Sequence, residues 1–167
     1  MATITSAYYR DANRVPITTD GIITKRTITF AGGTTNAWGD DGGTRDGGVV
    51  FTVTGLIFAR LVGVCTTTLV GGATVEVGIT GATAIFGKQI TDTDLEAGEI
   101  YLNETPATYF IVGEEQAAAD NFPTYLLNGN DIILTTAGGT NTTAGVVDFY
   151  LIWTPISDDA AVVATTG

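Results

Sequence analysis

Hydrophobic side chains recur at every second position along most of this chain, the period of a half-buried β-strand. The cleanest run is 73–80, where Ala73, Val75, Val77 and Ile79 alternate with Thr74, Glu76, Gly78 and Thr80. Residues 145–153 place Val147, Phe149, Leu151 and Trp153 on one face, and Pro155 ends the run. Ile22, Ile28 and Phe30 mark a strand over 22–30, while Val49, Phe51 and Val53 alternate with Val50, Thr52 and Thr54. Short strands are predicted over 83–90, 99–102, 107–112, 124–127 and 131–136, the last two flanking the turn signal Asn128-Gly129-Asn130. The run 56–65 is different. Leu56, Phe58, Val62 and Val64 lie on one face and Ile57, Ala59, Leu61 and Cys65 on the other, the pattern of a central strand covered on both sides, with a neighbouring subunit as one source of cover. Arg60 interrupts it and needs a partner carboxylate or an exit to water.

Gly71-Gly72 and Gly81 punctuate the strands as turns. Residues 91–98 carry a helix-start signal sufficient for a single turn, and Glu114 to Asp120 is the other helical candidate. About eight strands at 8–12-residue spacing, with no long helices between them, predict an all-β fold. The expected architecture is an antiparallel β-sandwich, jelly-roll-like, over residues 21–156. Residues 1–20 lack a sustained period and read as an extended N-terminal arm, either disordered or ordered by a partner; the pair Tyr8-Tyr9 favours the partner. The glycine-rich stretch 31–48 reads as a surface loop, and 157–167 as a tail small and polar enough to fray.

Composition supports the strand reading. The 167 residues include 22 Gly and 31 Thr, and only 15% are charged, so residues suited to turns and pleated surfaces take the place of good helix formers. The net charge of −11 is uneven. Residues 1–26 carry Arg10, Arg14, Lys25 and Arg26 against Asp11 and Asp20, a net of +2, which leaves −13 on the rest. An acidic body excludes nucleic acid as a partner of the main domain. A basic lead-in is suited to dock on a neighbouring acidic body, although four residues are a small sample. No apolar window approaches 18 residues, so no helical membrane span is predicted, and the first residues lack the basic-then-apolar pattern of a signal peptide.

Candidate chemistry is sparse. The chain has no histidine, which removes Ser-His-Asp and Cys-His catalysis and His-ligated zinc. The single Cys65 sits in an apolar run and reads as a small core residue. No phosphate-binding glycine loop is present. Asp40, Asp41 and Asp46 lie in a glycine-rich loop and offer oxygen atoms to Ca²⁺, but their spacing is not that of an EF-hand and Arg45 lies among them, so solvated acids are expected. Asp92, Asp94, Glu96 and Glu99 read the same way, and nothing selects a glycosidase pair. No enzyme activity, metal or cofactor is therefore expected. Trp38 lies off any strand period and has two readings: an anchor for a partner's pocket, or a lid over one end of the core.

Five stretches carry a resemblance. They are Tyr9-Arg10-Asp11-Ala12-Asn13-Arg14-Val15-Pro16-Ile17, the segment from Thr27 to Thr34, the segment from Ala73 to Ile79, Asp94-Leu95-Glu96-Ala97-Gly98-Glu99-Ile100, and Phe149-Tyr150-Leu151-Ile152-Trp153-Thr154-Pro155. Together they resemble small virion-associated proteins of tailed bacteriophages. The resemblance implies a β-sandwich on the phage particle, of the capsid-decoration (cement) or head-fibre type. It also implies self-association, with a trimer favoured, and an N-terminal arm that grips the major capsid protein or a neighbouring copy. The residues expected to contact partners are then Tyr8, Tyr9, Arg10 and Arg14 in the arm and Trp38 at the rim. The alternative is a glycan-binding or adhesion module of a tail fibre, which needs an exposed aromatic or Ca²⁺ site in a loop.

Overall fold

A computed structural model describes residues 9–10, 16–17, 21–34, 36–103 and 123–166. Among the described residues twelve strands run in chain order: β1 (Tyr9–Arg10), β2 (Pro16–Ile17), β3 (Ile22–Thr29), β4 (Gly48–Thr54), β5 (Leu56–Val70), β6 (Thr74–Ile79), β7 (Ala82–Thr91), β8 (Ile100–Tyr101), β9 (Tyr125–Asn128), β10 (Ile132–Ala137), β11 (Ala144–Pro155) and β12 (Ala161–Ala164). The only helical element among the described residues is one 3-10 turn, Asp92–Asp94, where a single turn was expected. The expected strand over 107–112 and helix over 114–120 lie outside the described residues.

Two antiparallel sheets pack face to face, as the period-two pattern requires, and make a β-sandwich. The first has the order β3-β11-β5-β8, with β9 also paired to β5. The second has the order β12-β4-β10-β6-β7. Gly55 alone joins β4 to β5 and so carries the chain from one sheet to the other in one residue. Its φ of 67° favours glycine, and an added Cβ would meet Ser157 Oγ at 2.5 Å and Asp159 Oδ1 at 2.6 Å.

The core is the set of alternate residues that both sheets turn inward. Val147, Phe149, Leu151 and Trp153 of β11 sit against Ile57, Ala59, Leu61 and Cys65 of β5 in one sheet, facing Phe51, Val53, Val75, Val77, Ile132 and Leu134 of the other. Two polar groups that enter this layer find partners. The Trp153 indole N–H donates to Thr24 Oγ1 at 3.0 Å. The buried Tyr101 hydroxyl lies 2.6 Å from Lys88 O and 3.0 Å from Val75 O, linking β8 of one sheet to β6 and β7 of the other.

Three expectations change. The alternation in β4 slips at Val50: Ile132 opposes Phe51, but the next residue of β10, Ile133, opposes Val49. Val50 is the extra residue of a bulge and points inward beside Phe51, so both are buried. The Asn128-Gly129-Asn130 turn carries the chain between sheets, since β9 pairs with β5 while β10 pairs with β4 and β6. Residues 157–167 do not simply fray: Ala161–Ala164 form β12 on the edge of β4, and Val162 and Ala164 pack on the core. Within residues 1–20 the described part is a pair of two-residue strands, with Tyr9 opposite Ile17 and Arg10 opposite Pro16.

Candidate interaction face

Direct cross-strand partners share one face of a sheet. On the outer face of the first sheet, Ile23 of β3 lies opposite Ile152 of β11, which lies opposite Arg60 of β5. One step along, Lys25, Tyr150 and Val62 form the next row. In the other direction Phe58 lies between Thr154 of β11 and Leu126 of β9. Ile156 follows at the end of β11, its N–H bonded to Leu56 O at 2.9 Å. Ile23 is 63% exposed, Leu126 58%, Phe58 47% and Ile156 44%. Four of the six exposed large hydrophobic residues among the described residues thus gather at one end of one face. At roughly 200 Å² per fully exposed residue, they leave on the order of 400 Å² of apolar surface.

The outer side of β5 was read from sequence as covered. Among the described residues Phe58 is exposed there, while Leu56, Arg60, Val62 and Val64 are half-buried. The remainder of the face is ordered by polar contacts. Lys25 Nζ pairs with Asp148 Oδ2 at 2.7 Å and lies 5.4 Å from the centre of the Tyr150 ring. Thr27 Oγ1 donates to Asp148 Oδ1 at 2.5 Å. Burial pushes the Asp148 carboxyl up, but the hydrogen bonds from Lys25 and Thr27 outweigh it and hold the group below its usual range. The same partner raises Lys25 above the usual lysine value. An apolar centre with a preformed ionic rim matches the anatomy of a protein–protein interface.

The opposite outer face has different chemistry. Val163 pairs with Thr52, Ala161 with Thr54, Thr135 with Glu76, and Ala137 with Thr74, which in turn pairs with Thr91. It is a small, hydroxyl-rich surface with little to bury.

Tyr8 and Arg14 lie outside the described residues, and Tyr9 and Arg10 are placed only as backbone of β1. Trp38 is 7% exposed and belongs to the core, bridging backbone to backbone with Phe30, so it is the lid and not a partner's anchor. Gly48 lies against its ring, where a Cβ would sit 2.9 Å from Cη2, and Arg45 stacks on it at 5.3 Å. An off-period tryptophan carries no local sign of which side of the surface it takes.

The acidic loop serves the fold. Asp40 Oδ1 accepts from the Gly33 N–H at 3.2 Å, Asp41 Oδ2 from Gly139 at 2.5 Å, and Asp46 from Thr136 at 2.9 Å and Gly42 at 3.2 Å. Asp41 N–H donates to Asn141 Oδ1 at 3.0 Å. These carboxylates tie the 31–47 loop to the 136–141 turn. Asp92 is fully buried and accepts from Gly72 and Ala73 N–H, fixing the turn between β5 and β6. No group of three or more His, Cys, Asp or Glu able to hold a metal ion occurs among the described residues. Cys65 is buried, its Sγ within 3.2 Å of Thr67 O, and burial raises its thiol above the usual value.

The fold and this face define the chain as a β-sandwich with an apolar patch at one end of one outer face. Comparison with protein-family models, with curated proteins and with solved structures finds no match.

Proposed function

We propose that this chain is a non-enzymatic structural protein of a tailed-phage virion, which decorates the capsid and stabilises it through contacts between subunits. The observation that carries the reading is the apolar end of the outer face around Phe58, Leu126, Ile23 and Ile156. A sandwich has no need of such a surface for its own core, and contact with other chains is what removes it from water. The sequence resemblance supplies the setting: the virion surface, other copies of the chain (a trimer favoured), and the major capsid protein. The glycan-binding alternative loses support, because Trp38 is buried and the loop carboxylates accept backbone N–H groups.

The test is a mass measurement in solution together with co-sedimentation on phage capsids that lack this protein, for the wild type and for Phe58→Thr/Leu126→Thr. The wild type is expected to self-associate and to bind capsids, and the double variant to fold but to do both at least about tenfold more weakly. A wild type that stays monomeric and ignores capsids overturns the proposal, as does a variant that binds like the wild type.

A further inference from the structure

The free edges of the two large sheets are unequal. β8 has two residues, and β9 and β12 have four each, too short to template another strand. β7 is longer, but its register with β6 shifts twice, between Val75 and Val77 and between Val77 and Ile79, which bends the edge. β3 is the exception. Its eight residues, Ile22 to Thr29, match eight consecutive residues of β11 with no shift, and among the described residues β11 is its one hydrogen-bonded neighbour. A long, regular edge rich in Ile and Thr is the surface on which another chain's strand adds.

One residue of β3 breaks its pattern. Ile22, Thr24 and Ile28 face the core, and Arg26 stands in the same row, opposite the buried Phe149. Its Nε is buried and has no hydrogen-bond partner, while the residue as a whole keeps partial exposure. The neighbouring cation, Lys25, points the other way and has its own carboxylate in Asp148. An inward-facing guanidinium at a sheet edge stays hydrated only because the edge is open. A strand added to β3 would cover that exit and strand the charge without a partner.

We propose that Arg26 guards the β3 edge against strand addition, so that this protein associates by its faces and not by extending its sheets. The proposal does not depend on what the apolar face binds. Its test therefore uses the Phe58→Thr/Leu126→Thr background, where that face is disabled. Sedimentation velocity over a range of concentrations is measured for Arg26→Val, Arg26→Gln and Arg26→Lys, with infrared spectroscopy to detect intermolecular β-structure. Val and Gln remove the charge. Both are expected to raise the average mass with concentration and to add an intermolecular β signal, with association tightened at least about tenfold over the parent. Lys keeps the charge and is expected to sediment like the parent. If the Val variant does not fold, the Gln variant decides. A folded neutral variant that sediments like the parent, or a Lys variant that associates as readily as Val, overturns the proposal.

Discussion

Tyr101 and Gly87 make one tight contact across the sandwich, and its energetics can be worked out. Tyr101 comes from the two-residue strand β8, is 3% exposed, and sends its ring across to β6 and β7. Its single proton is shared between Lys88 O and Val75 O, with the shorter approach, 2.6 Å, to Lys88. Burial holds the phenol well above its usual pKa, so it remains a donor at any pH at which the protein is handled. The ring packs edge-on to Phe149 at 6.5 Å. Gly87 leaves room for it: a Cβ there would lie 2.8 Å from Cζ and 2.9 Å from both Cε1 and Oη. Tyr101→Phe keeps the ring and loses the hydroxyl, at a cost of about 1–2 kcal/mol. Tyr101→Ala also opens a cavity and costs about 3–5 kcal/mol. Gly87→Ala overpacks the ring and costs about 1–3 kcal/mol. In the double variant Gly87→Ala/Tyr101→Ala the added methyl group occupies space the ring has vacated. The two costs then fail to add, by about 1 kcal/mol or more in the stabilising direction. Urea unfolding with a shared slope measures all four proteins. Costs that add within about 0.5 kcal/mol, or a neutral Tyr101→Phe, would refute this account of the contact.

Two further outcomes follow from the geometry. Asp148 has a folded pKa below its ordinary 3.8 and Lys25 one above its ordinary 10.5, so the pair's contribution to stability is present between those values. It is lost in acid as the pH falls through the folded value of Asp148, and in base as the pH rises through that of Lys25; unfolding midpoints of wild type and Asp148→Asn should converge at the acid end. Gly55→Ala forces a Cβ onto Ser157 and Asp159 at a positive φ, and should lower stability by about 2 kcal/mol or more, read by thermal or urea unfolding.

Local pattern gave what depends on local pattern. The alternation at 73–80 is β6, and the apolar row Val147, Phe149, Leu151 and Trp153 is the buried side of β11, because a half-buried strand must separate its faces whatever its partners are. What escaped depends on partners. Nothing in Val49-Val50-Phe51 says that β10 will skip a residue there, since the bulge is a property of the pair. The Asn128-Gly129-Asn130 turn has the same chemistry whether its flanking strands pair with each other or separate into two sheets. Residues 161–164 are weakly apolar and become β12 because the edge of β4 supplies hydrogen bonds from more than a hundred residues away. The candidate face was visible in one strand: the second apolar row of β5 signalled cover beyond the core. Its companions Ile23, Ile152 and Leu126 come from strands remote in sequence, and only the register with β11 and β9 joins them to Phe58.

The two exteriors and the guarded edge bear on one another. Copies of a chain with a net charge of −11 repel one another, so the shape of any assembly is set by which surfaces return most on being covered. Burying Thr52, Thr54, Thr135 and Glu76 would desolvate hydroxyls and a carboxylate in exchange for little apolar area. Covering β3 would desolvate Arg26. The end of the first sheet around Phe58 and Leu126 offers the most exposed apolar area, with Arg60 beside it, and its charged neighbours Lys25 and Asp148 already neutralise one another. On the proposed role, association falls where the free-energy cost is least, on that face, with the hydroxyl-rich sheet toward water. On the proposed role this is the orientation a capsid-decorating protein requires: one face committed to protein, the other to solvent, and no edge from which a sheet can grow into a fibre.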